Sequence, residues 1–299
     1  MYTEAQLADL VPIPAVDAYK YSRGKAVLVA GSTRYPGAAC LAAQASQYAG
    51  AGYTQVYTAF PNITILQQAR PSLVVSAFGS YDPTRLVDKG KPGAVVMGPG
   101  FSSDPELETL VRNTVKRADI PLLIDGGGLT LLLKGKAHTA LAKRHARGLP
   151  TVLTPHEGEA KRLGEPYSIS LNRLSGRSGI DARKAFARSL ALCYESIIVL
   201  KGADTVIASP DPDHHPTEVV TCGTAALAKA GTGDVLAGLI GGLMAQDMDP
   251  FDACVLGVTL HARAGVIASE RYGIVSTCAE EVLASLPAAI MQCADSHHE

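Results

Sequence analysis

The chain has 299 residues, of which 47% are hydrophobic and 18% are charged. This composition excludes a disordered chain, because burial of so many apolar side chains offsets the conformational entropy that is lost on folding. The 27 Lys and Arg residues against 28 Asp and Glu residues give a net charge of −1, and no basic run exceeds a pair, so we expect no nucleic-acid partner. The 29 glycines indicate close packing between helices and strands.

The ends, the cysteines and the apolar segments all favour a cytoplasmic protein. The N-terminal stretch Met1–Leu10 contains acids and no apolar core, so it does not have the form of a secretory signal. The six cysteines show no C-x-x-C spacing and are interpreted as reduced thiols. The most apolar window, residues 225–245, is interrupted by Lys229 and Asp234, so we expect no membrane span.

Short β-type runs alternate with helical patterns along the chain. The run Ala26–Gly31 predicts a buried parallel strand, and the Ala-rich stretch after it predicts a helix that ends at Gly50 or Gly52. The next predicted strands are residues 53–58, 73–78, 94–98, 121–125, 151–154 and 196–202. The runs at 204–210 and 218–223 predict a hairpin extension of the last strand, and the chain from Gly233 onward is predicted to be helical.

This alternation predicts an α/β fold with a central, mostly parallel sheet and helices on both faces. No Pro/Ser-rich linker and no internal repeat divides the sequence, so residues 1–299 are predicted to form one domain. Ligands of such sheets bind at the carboxyl ends of the strands. Gly-rich or polar segments follow the predicted strands at Gly98–Gly100, Asp125–Gly128 and Thr154–His156, which predicts a ligand site along this edge.

The segment Gly231-Thr232-Gly233-Asp234 opens an apolar helix and is the strongest candidate for chemistry. Glycines allow the backbone to approach a ligand, and the amides of a helix N-terminus favour an anion such as phosphate. Asp234 has two interpretations, either as a helix cap or as a base that accepts a hydroxyl proton during phosphoryl transfer. The small residues that follow, from Ala237 to Ala245, are interpreted as a packing stripe.

Three other positions also have competing interpretations. His156 is either a structural histidine or a substrate contact, and Lys201 is either a solvated strand end or a nucleotide contact. The pair His214-His215 lies among Pro and Asp residues and is interpreted as a solvated loop rather than a metal site, with His297-His298 as a tail.

Taken together, the motifs resemble the ADP/ATP-dependent NAD(P)H-hydrate dehydratase family of the ribokinase-like superfamily over almost the whole chain. The resemblance is carried by Gly-Pro-Gly at 98–100, Thr-Pro-His-x-Gly-Glu at 154–159, Leu-Lys-Gly-x-x-Thr at 200–205, Ala-x-x-Gly-Thr-Gly-Asp at 228–234 and His-Ala-x-Ala-Gly at 261–265. Ala228 and Lys229 stand where sugar kinases of the superfamily have an acid and a Thr. Asp234 stands where vitamin kinases usually have Cys, so both kinase groups resemble the chain less.

The resemblance implies metabolite repair, in which ADP or ATP phosphorylates the ring hydroxyl of the S-epimer of hydrated NADH or NADPH and phosphate then leaves. It implies Asp234 as the catalytic base. It implies substrate contacts at Ala38, Gly100, His156 and Asp234, and nucleotide contacts at Lys201, Gly202, Ala203, Asp204, Thr205, Gly231, Thr232 and Gly233. It also implies Mg²⁺ near Glu159, a homotetramer, and a separate epimerase acting on the same metabolite, since we expect no N-terminal epimerase domain here.

One segment departs from the family pattern. Where relatives usually read Asp-Ala-Asp-Ala-Leu, this chain has Asp125-Gly126-Gly127-Gly128-Leu129, so the second acid is Gly127 and the three glycines are expected to loosen the turn. The alternatives to the dehydratase are therefore a small-molecule kinase of the same superfamily and a catalytically weak nucleotide-binding protein.

Overall fold

A computed structural model describes residues 2–170 and 179–296 of the chain. His297 and His298 of the predicted tail lie outside the described residues. Within the described ranges the strands form one nine-stranded sheet in the order β3-β2-β1-β4-β5-β6-β7-β8-β9. The strands are β1 Lys25–Val29, β2 Tyr53–Thr58, β3 Val74–Ala77, β4 Gly93–Met97, β5 Leu122–Ile124, β6 Thr151–Leu153, β7 Ile197–Leu200, β8 Thr205–Ala208 and β9 Glu218–Val220.

The helices follow the strands closely along the chain. They are α1 Glu4–Leu10, α2 Pro36–Tyr48, α3 Asn62–Ala69, α4 Pro105–Arg117, α5 Gly127–Lys134, α6 Leu141–His145, α7 Glu157–Gly164, α8 Gly179–Tyr194, α9 Thr232–Met244, α10 Pro250–Tyr272 and α11 Ala279–Asp295. Their ends follow local chemistry. Helix α4, for example, begins where the Asp104 carboxylate accepts a hydrogen bond from the Glu106 amide, with Pro105 in the first turn and basic residues in the last.

The sheet is parallel from β3 through β7, and its last two strands are antiparallel. This arrangement confirms the predicted mostly parallel sheet and its hairpin extension. Strand β1 lies between β2 and β4. Strands β2 and β3 are added on one side of β1, and the strands from β4 onward are added on its other side, so the strand order reverses at β1. Such a reversal opens a crevice at the carboxyl ends of the two strands, where open α/β sheets commonly bind ligands.

Apolar side chains bury both faces of the sheet. Leu28 of β1 and Val96 of β4 pack into the core formed with α2, α9, α10 and α11. Val27 and Val95, their chain neighbours, pack into the second core with α4, α5, α7 and α8. The continuously apolar strand sequences are explained by this double burial, since each successive side chain enters a different core.

The predicted packing stripe of α9 lies against α2. A Cβ atom added at Gly238 would lie 2.0 Å from the Ala42 carbonyl oxygen, so only glycine allows the two helices to approach this closely. Helix α10 is long and apolar enough to cross a membrane by length and composition, but 78% of its most apolar window is buried inside the protein. Burial on this scale is typical of a core helix.

Candidate active site

Three neighbouring strands end beside the N-terminus of α9. Asp125 follows β5, Thr154 follows β6 and Lys201 follows β7. Asp125, Lys201 and Asp234 line a cavity of about 720 Å³. The edge of the sheet that the sequence predicted as the ligand site therefore borders a pocket of the size that small-molecule ligands occupy.

The loop before α9 is fixed by Gly231 and Thr232. Gly231 has a φ of +93°, a backbone conformation that other residues rarely adopt. The Thr232 hydroxyl donates hydrogen bonds to the carbonyl oxygens of Leu227 and Lys229, at 2.8 and 2.9 Å. The amides of the first turn of α9 have no partner within the helix, so this fixed terminus offers donors to an anion.

Asp234 lies in the first turn of α9, but it is not the helix cap. The N-cap position is Gly231, and no side chain caps this helix. Burial and the negative charge of Asp125 raise the pKa of Asp234 from 3.8 to about 7, while Lys201 acts in the opposite direction. A carboxyl group that titrates near neutral pH suits general acid–base chemistry, so the geometry favours the interpretation of Asp234 as a base.

Lys201 forms a partly buried ion pair and is not a solvated strand end. Its ammonium lies 2.7 Å from the Asp125 carboxylate, which also accepts a hydrogen bond from the Thr154 hydroxyl at 2.6 Å. Burial by itself lowers the pKa of Lys201, but the carboxylates of Asp125 and Glu159 raise it overall. The cation therefore stays charged at the floor of the cavity.

His156 and Glu159 form a capping box at the start of α7. The His156 ring nitrogen Nδ1 accepts a hydrogen bond from the Gly158 amide at 3.0 Å, and the Glu159 carboxylate accepts one from the His156 amide at 2.9 Å. The His156 side chain is 57% exposed and lines the cavity. The structure thus gives His156 a structural role and also leaves part of its ring facing the predicted ligand.

The turn after β7 brings several predicted nucleotide contacts to the cavity. Lys201, Gly202, Ala203 and Thr205 line it, whereas Asp204 does not. The side chain of Arg183, on α8, donates hydrogen bonds to the carbonyl oxygens at both ends of this turn, those of Leu200, Lys201 and Asp204, at 3.1–3.3 Å. Sequence reasoning missed Arg183, because nothing in its local pattern distinguishes it from the other basic residues of α8.

Ala38 and Gly100 meet at the crevice between β1 and β4. A Cβ atom added at Gly100 would lie 2.7 Å from the Ala38 side chain, so the two positions are neighbours. They lie outside the lining of the cavity beside α9. The predicted substrate contacts therefore fall into two groups, with His156 and Asp234 in the cavity and Ala38 and Gly100 at the point where the sheet order reverses.

The expectation that the glycines at 126–128 loosen their turn is wrong. A Cβ atom added at Gly127 would lie 2.2 Å from the Phe101 carbonyl oxygen, so this segment is packed closely against its neighbour. An aspartate at position 127 does not fit this backbone. Glycine is therefore required at position 127, where the family pattern has an acid, because the Phe101 backbone packs against this residue.

His261, on α10, is a buried residue of the cavity wall whose site role the sequence did not identify. Its Nε2 atom has no hydrogen-bond partner among the described residues. Burial lowers the pKa of His261 to about 4, against a hydrogen bond to the Thr232 backbone that raises it. The imidazole is therefore neutral at physiological pH.

Metal ligands are sparse among residues 2–170 and 179–296. No group of three or more His, Cys, Asp or Glu side chains there is arranged to hold a metal ion. In the pair His214-His215, His214 is exposed and bonded to Asp211, as expected of a solvated loop, whereas the partly buried His215 ring stacks on Phe251. The assignment of Mg²⁺ to Glu159 stays a prediction.

Comparison with known proteins gives a consistent family. The family model described as NAD(P)H-hydrate dehydratase matches residues 26–288. The ADP-dependent (S)-NAD(P)H-hydrate dehydratase of Xanthomonas campestris is 32% identical over 285 residues, which cover 92% of this chain and 91% of that protein. The chain also matches bifunctional NAD(P)H-hydrate repair enzymes, including those of Thermofilum pendens and Escherichia coli, and it spans 50% of the length of each.

Solved structures agree with this family and with the predicted ribokinase-like fold. The ADP/ATP-dependent NAD(P)H-hydrate dehydratase of Bacillus subtilis, co-crystallised with ATP and Mg²⁺, is similar with a TM-score of 0.79 at 29% identity, over 97% of both chains. A ribokinase-like superfamily protein from Enterococcus faecalis has a TM-score of 0.76 at 23% identity, over 98% of this chain and 95% of its own, and supports the fold alone.

Proposed function

The chain belongs to the NAD(P)H-hydrate dehydratase family, and from this premise we propose that it returns the S-epimer of hydrated NADH or NADPH to the reduced cofactor, using ADP or ATP as the phosphoryl donor. The reaction is that of a carbon–oxygen lyase and serves metabolite repair. The observation that carries the proposal is the partly buried carboxyl group of Asp234, which lines the cavity from the first turn of α9 and whose pKa is raised to about 7.

In the first step, Asp234 accepts the proton of the ring hydroxyl while the hydroxyl oxygen attacks the terminal phosphorus of the nucleotide. An oxygen–phosphorus bond forms and the phosphoanhydride bond breaks, so AMP leaves from ADP, or ADP from ATP. The Lys201 ammonium and the amides at the start of α9 stabilise the charge on the transferred group. In the second step, phosphate departs with the electron pair of the carbon–oxygen bond, and loss of a proton from the neighbouring ring carbon restores the double bond.

The two ligands take adjacent parts of the strand-end edge. The adenine nucleotide is proposed to contact the turn Lys201–Thr205 and the loop Gly231–Gly233, and all of these residues except Asp204 line the cavity. Asp204 contributes a main-chain carbonyl that holds Arg183. The hydrated nicotinamide is proposed to contact His156 and Asp234 and to extend toward Ala38 and Gly100.

Mg²⁺ is proposed to enter with the nucleotide. One oxygen of the buried Glu159 carboxylate already caps α7, which leaves little for a site built from protein ligands alone. A magnesium ion bound mainly by phosphate oxygens and water needs only one or two carboxylates, and the Glu159 carboxylate, which acts by charge on the Lys201 ammonium of the cavity, fits that demand. The ion would neutralise phosphate charge.

Other properties expected from the family are also proposed for this chain. These are one domain over residues 1–299, a homotetramer, a cytoplasmic location and cooperation with a separate epimerase. The single nine-stranded sheet supports the single domain. The six free cysteines support the cytoplasmic location. Light scattering coupled to gel filtration tests the tetramer, and cell fractionation tests the location.

The test of function is recovery of the reduced cofactor. The protein is incubated with acid-hydrated NADH, Mg²⁺ and either ADP or ATP, and the absorbance of reduced nicotinamide is followed. We expect recovery that depends on the nucleotide, and no recovery with either nucleotide overturns the proposal. Accumulation of a phosphorylated product without release of phosphate identifies the small-molecule kinase instead.

A further inference from the structure

Asp125 is a buried acidic side chain that the proposed chemistry leaves without a task. It is 2% exposed, and both the Lys201 ammonium and the Thr154 hydroxyl reach the same carboxylate oxygen, Oδ1. Burying a carboxylate is costly unless it is paired and hydrogen-bonded. The three residues come from the ends of β5, β6 and β7, so the group links three adjacent strands along the ligand edge.

The other end of the ion pair lies at the start of α9. A Cβ atom added at Gly233 would lie 3.4 Å from the Lys201 Nζ atom, which places the ammonium beside the first turn of the helix. The backbone of Lys201 is held as well, because its amide donates to the Pro155 carbonyl oxygen and its own carbonyl accepts from Arg183. A lysine side chain is flexible, and here its tip is held by Asp125.

We propose that Asp125 is a positioning residue for phosphoryl transfer: it holds the Lys201 ammonium beside Gly233, so that the transferred group meets a fixed cation next to Asp234. This inference rests on the proposed function. It assigns to Asp125 an action through Lys201 and no contact with either ligand.

Neighbouring positions do not offer a substitute. Position 127 has no room for a side chain, since the Phe101 backbone occupies that space. The titratable groups that line the cavity besides Asp234 are Asp125, His156, Lys201, Lys229 and His261. The carboxylates of Glu159 and Asp234 also act on Lys201 by charge, but among the described residues only Asp125 is within hydrogen-bond distance of its ammonium.

The main test is the variant Asp125→Asn, assayed for hydrate repair with saturating nucleotide. With Lys201 released, we expect kcat to fall by about tenfold to a hundredfold, because small misplacements of a group that acts on the transition state have effects of this size. The KM for the hydrated cofactor is expected to stay unchanged. The acid limb of the rate profile is expected to move to lower pH, since the variant removes a negative charge that raises the pKa of Asp234.

A merely structural role predicts a different result. It lowers the amount of folded enzyme but leaves kcat per folded enzyme at the wild-type value, so a wild-type kcat in the variant overturns the inference. The shift of the acid limb follows from the lost charge alone and tests the cause of the raised pKa of Asp234. If the wild type does not repair hydrated NADH, the proposed function is wrong. If the wild type is active and the variant is equally active, only the positioning role of Asp125 is wrong.

A second pair of variants covers the case in which Asp125→Asn does not fold. Thr154→Val removes the hydroxyl that holds Asp125 while nearly keeping the shape of the side chain, and Thr154→Ser keeps the hydroxyl. We expect a severalfold loss of kcat with Thr154→Val and rescue to near the wild-type rate with Thr154→Ser. Equal rates in the two variants contradict the inference.

Discussion

The raised pKa of Asp234 predicts that replacing the residue abolishes turnover and yet stabilises the protein at alkaline pH. The pKa is raised from 3.8 to about 7, a difference of about three, which corresponds to about 4 kcal/mol. The folded state holds this proton more tightly than the unfolded state does. The stability that this provides is present at acid pH and is lost as the pH rises through about 7. In Asp234→Asn the side chain remains neutral, so this loss does not occur.

Urea unfolding followed by circular dichroism measures the effect. We expect the free energy of unfolding of Asp234→Asn, relative to the wild type, to increase by about 3 kcal/mol between about pH 5 and about pH 8.5. Comparing two pH values cancels any fixed difference in packing between Asp and Asn. Asp213→Asn, the same change in an exposed loop, is the control and is expected to show no such increase. The reasoning is refuted if the stability difference between Asp234→Asn and the wild type is the same at both pH values.

Three further predictions concern the site and its frame. The rate of hydrate repair by the wild type should rise with pH through about 7, as Asp234 becomes able to accept a proton, and a rate that is flat from about pH 5.5 to about pH 8.5 contradicts its role as the base. Arg183→Met removes the hydrogen bonds that Arg183 donates to the turn after β7, so the KM for ADP or ATP should rise about tenfold. The control is Arg188→Met on the same helix, which should leave this KM unchanged. Gly127→Asp restores the acid of the family pattern but meets the Phe101 backbone, so thermal unfolding should show a loss of about 1–3 kcal/mol or more with no gain in rate; a stable, faster variant would contradict the steric argument.

The sequence predicts the sheet well because most of its central strands are short apolar runs bounded by glycine or polar residues. All nine strands of the described residues fall within or overlap predicted runs, including the hairpin at β8 and β9. Double burial leaves a strong signal of this kind, since both faces of a strand must be apolar. The small-residue stripe of α9 was readable for a similar reason, because close helix packing at Gly238 tolerates only the smallest side chains.

The partners within the site were harder to predict because they join distant parts of the chain. Asp125 and Lys201 are 76 positions apart, and neither residue type indicates the pairing. The pKa of Asp234 depends on burial and on Asp125, neither of which a local motif contains. The capping box at α7 could have been predicted from the sequence, because Glu159 lies three residues after His156, which is the spacing of such a box.

Of the two acidic positions in the family pattern, 125 and 127, only position 125 acts on the site in this chain. The retained acid, Asp125, pairs with Lys201 and contributes to the raised pKa of Asp234, so its charge reaches both the cation and the base. The missing acid stands where the Phe101 backbone packs against Gly127. A catalytically weak protein would be expected if the pattern acted as a unit. Since the ion pair is intact without the second acid, the geometry instead favours an active enzyme whose sensitivity to mutation is concentrated at position 125.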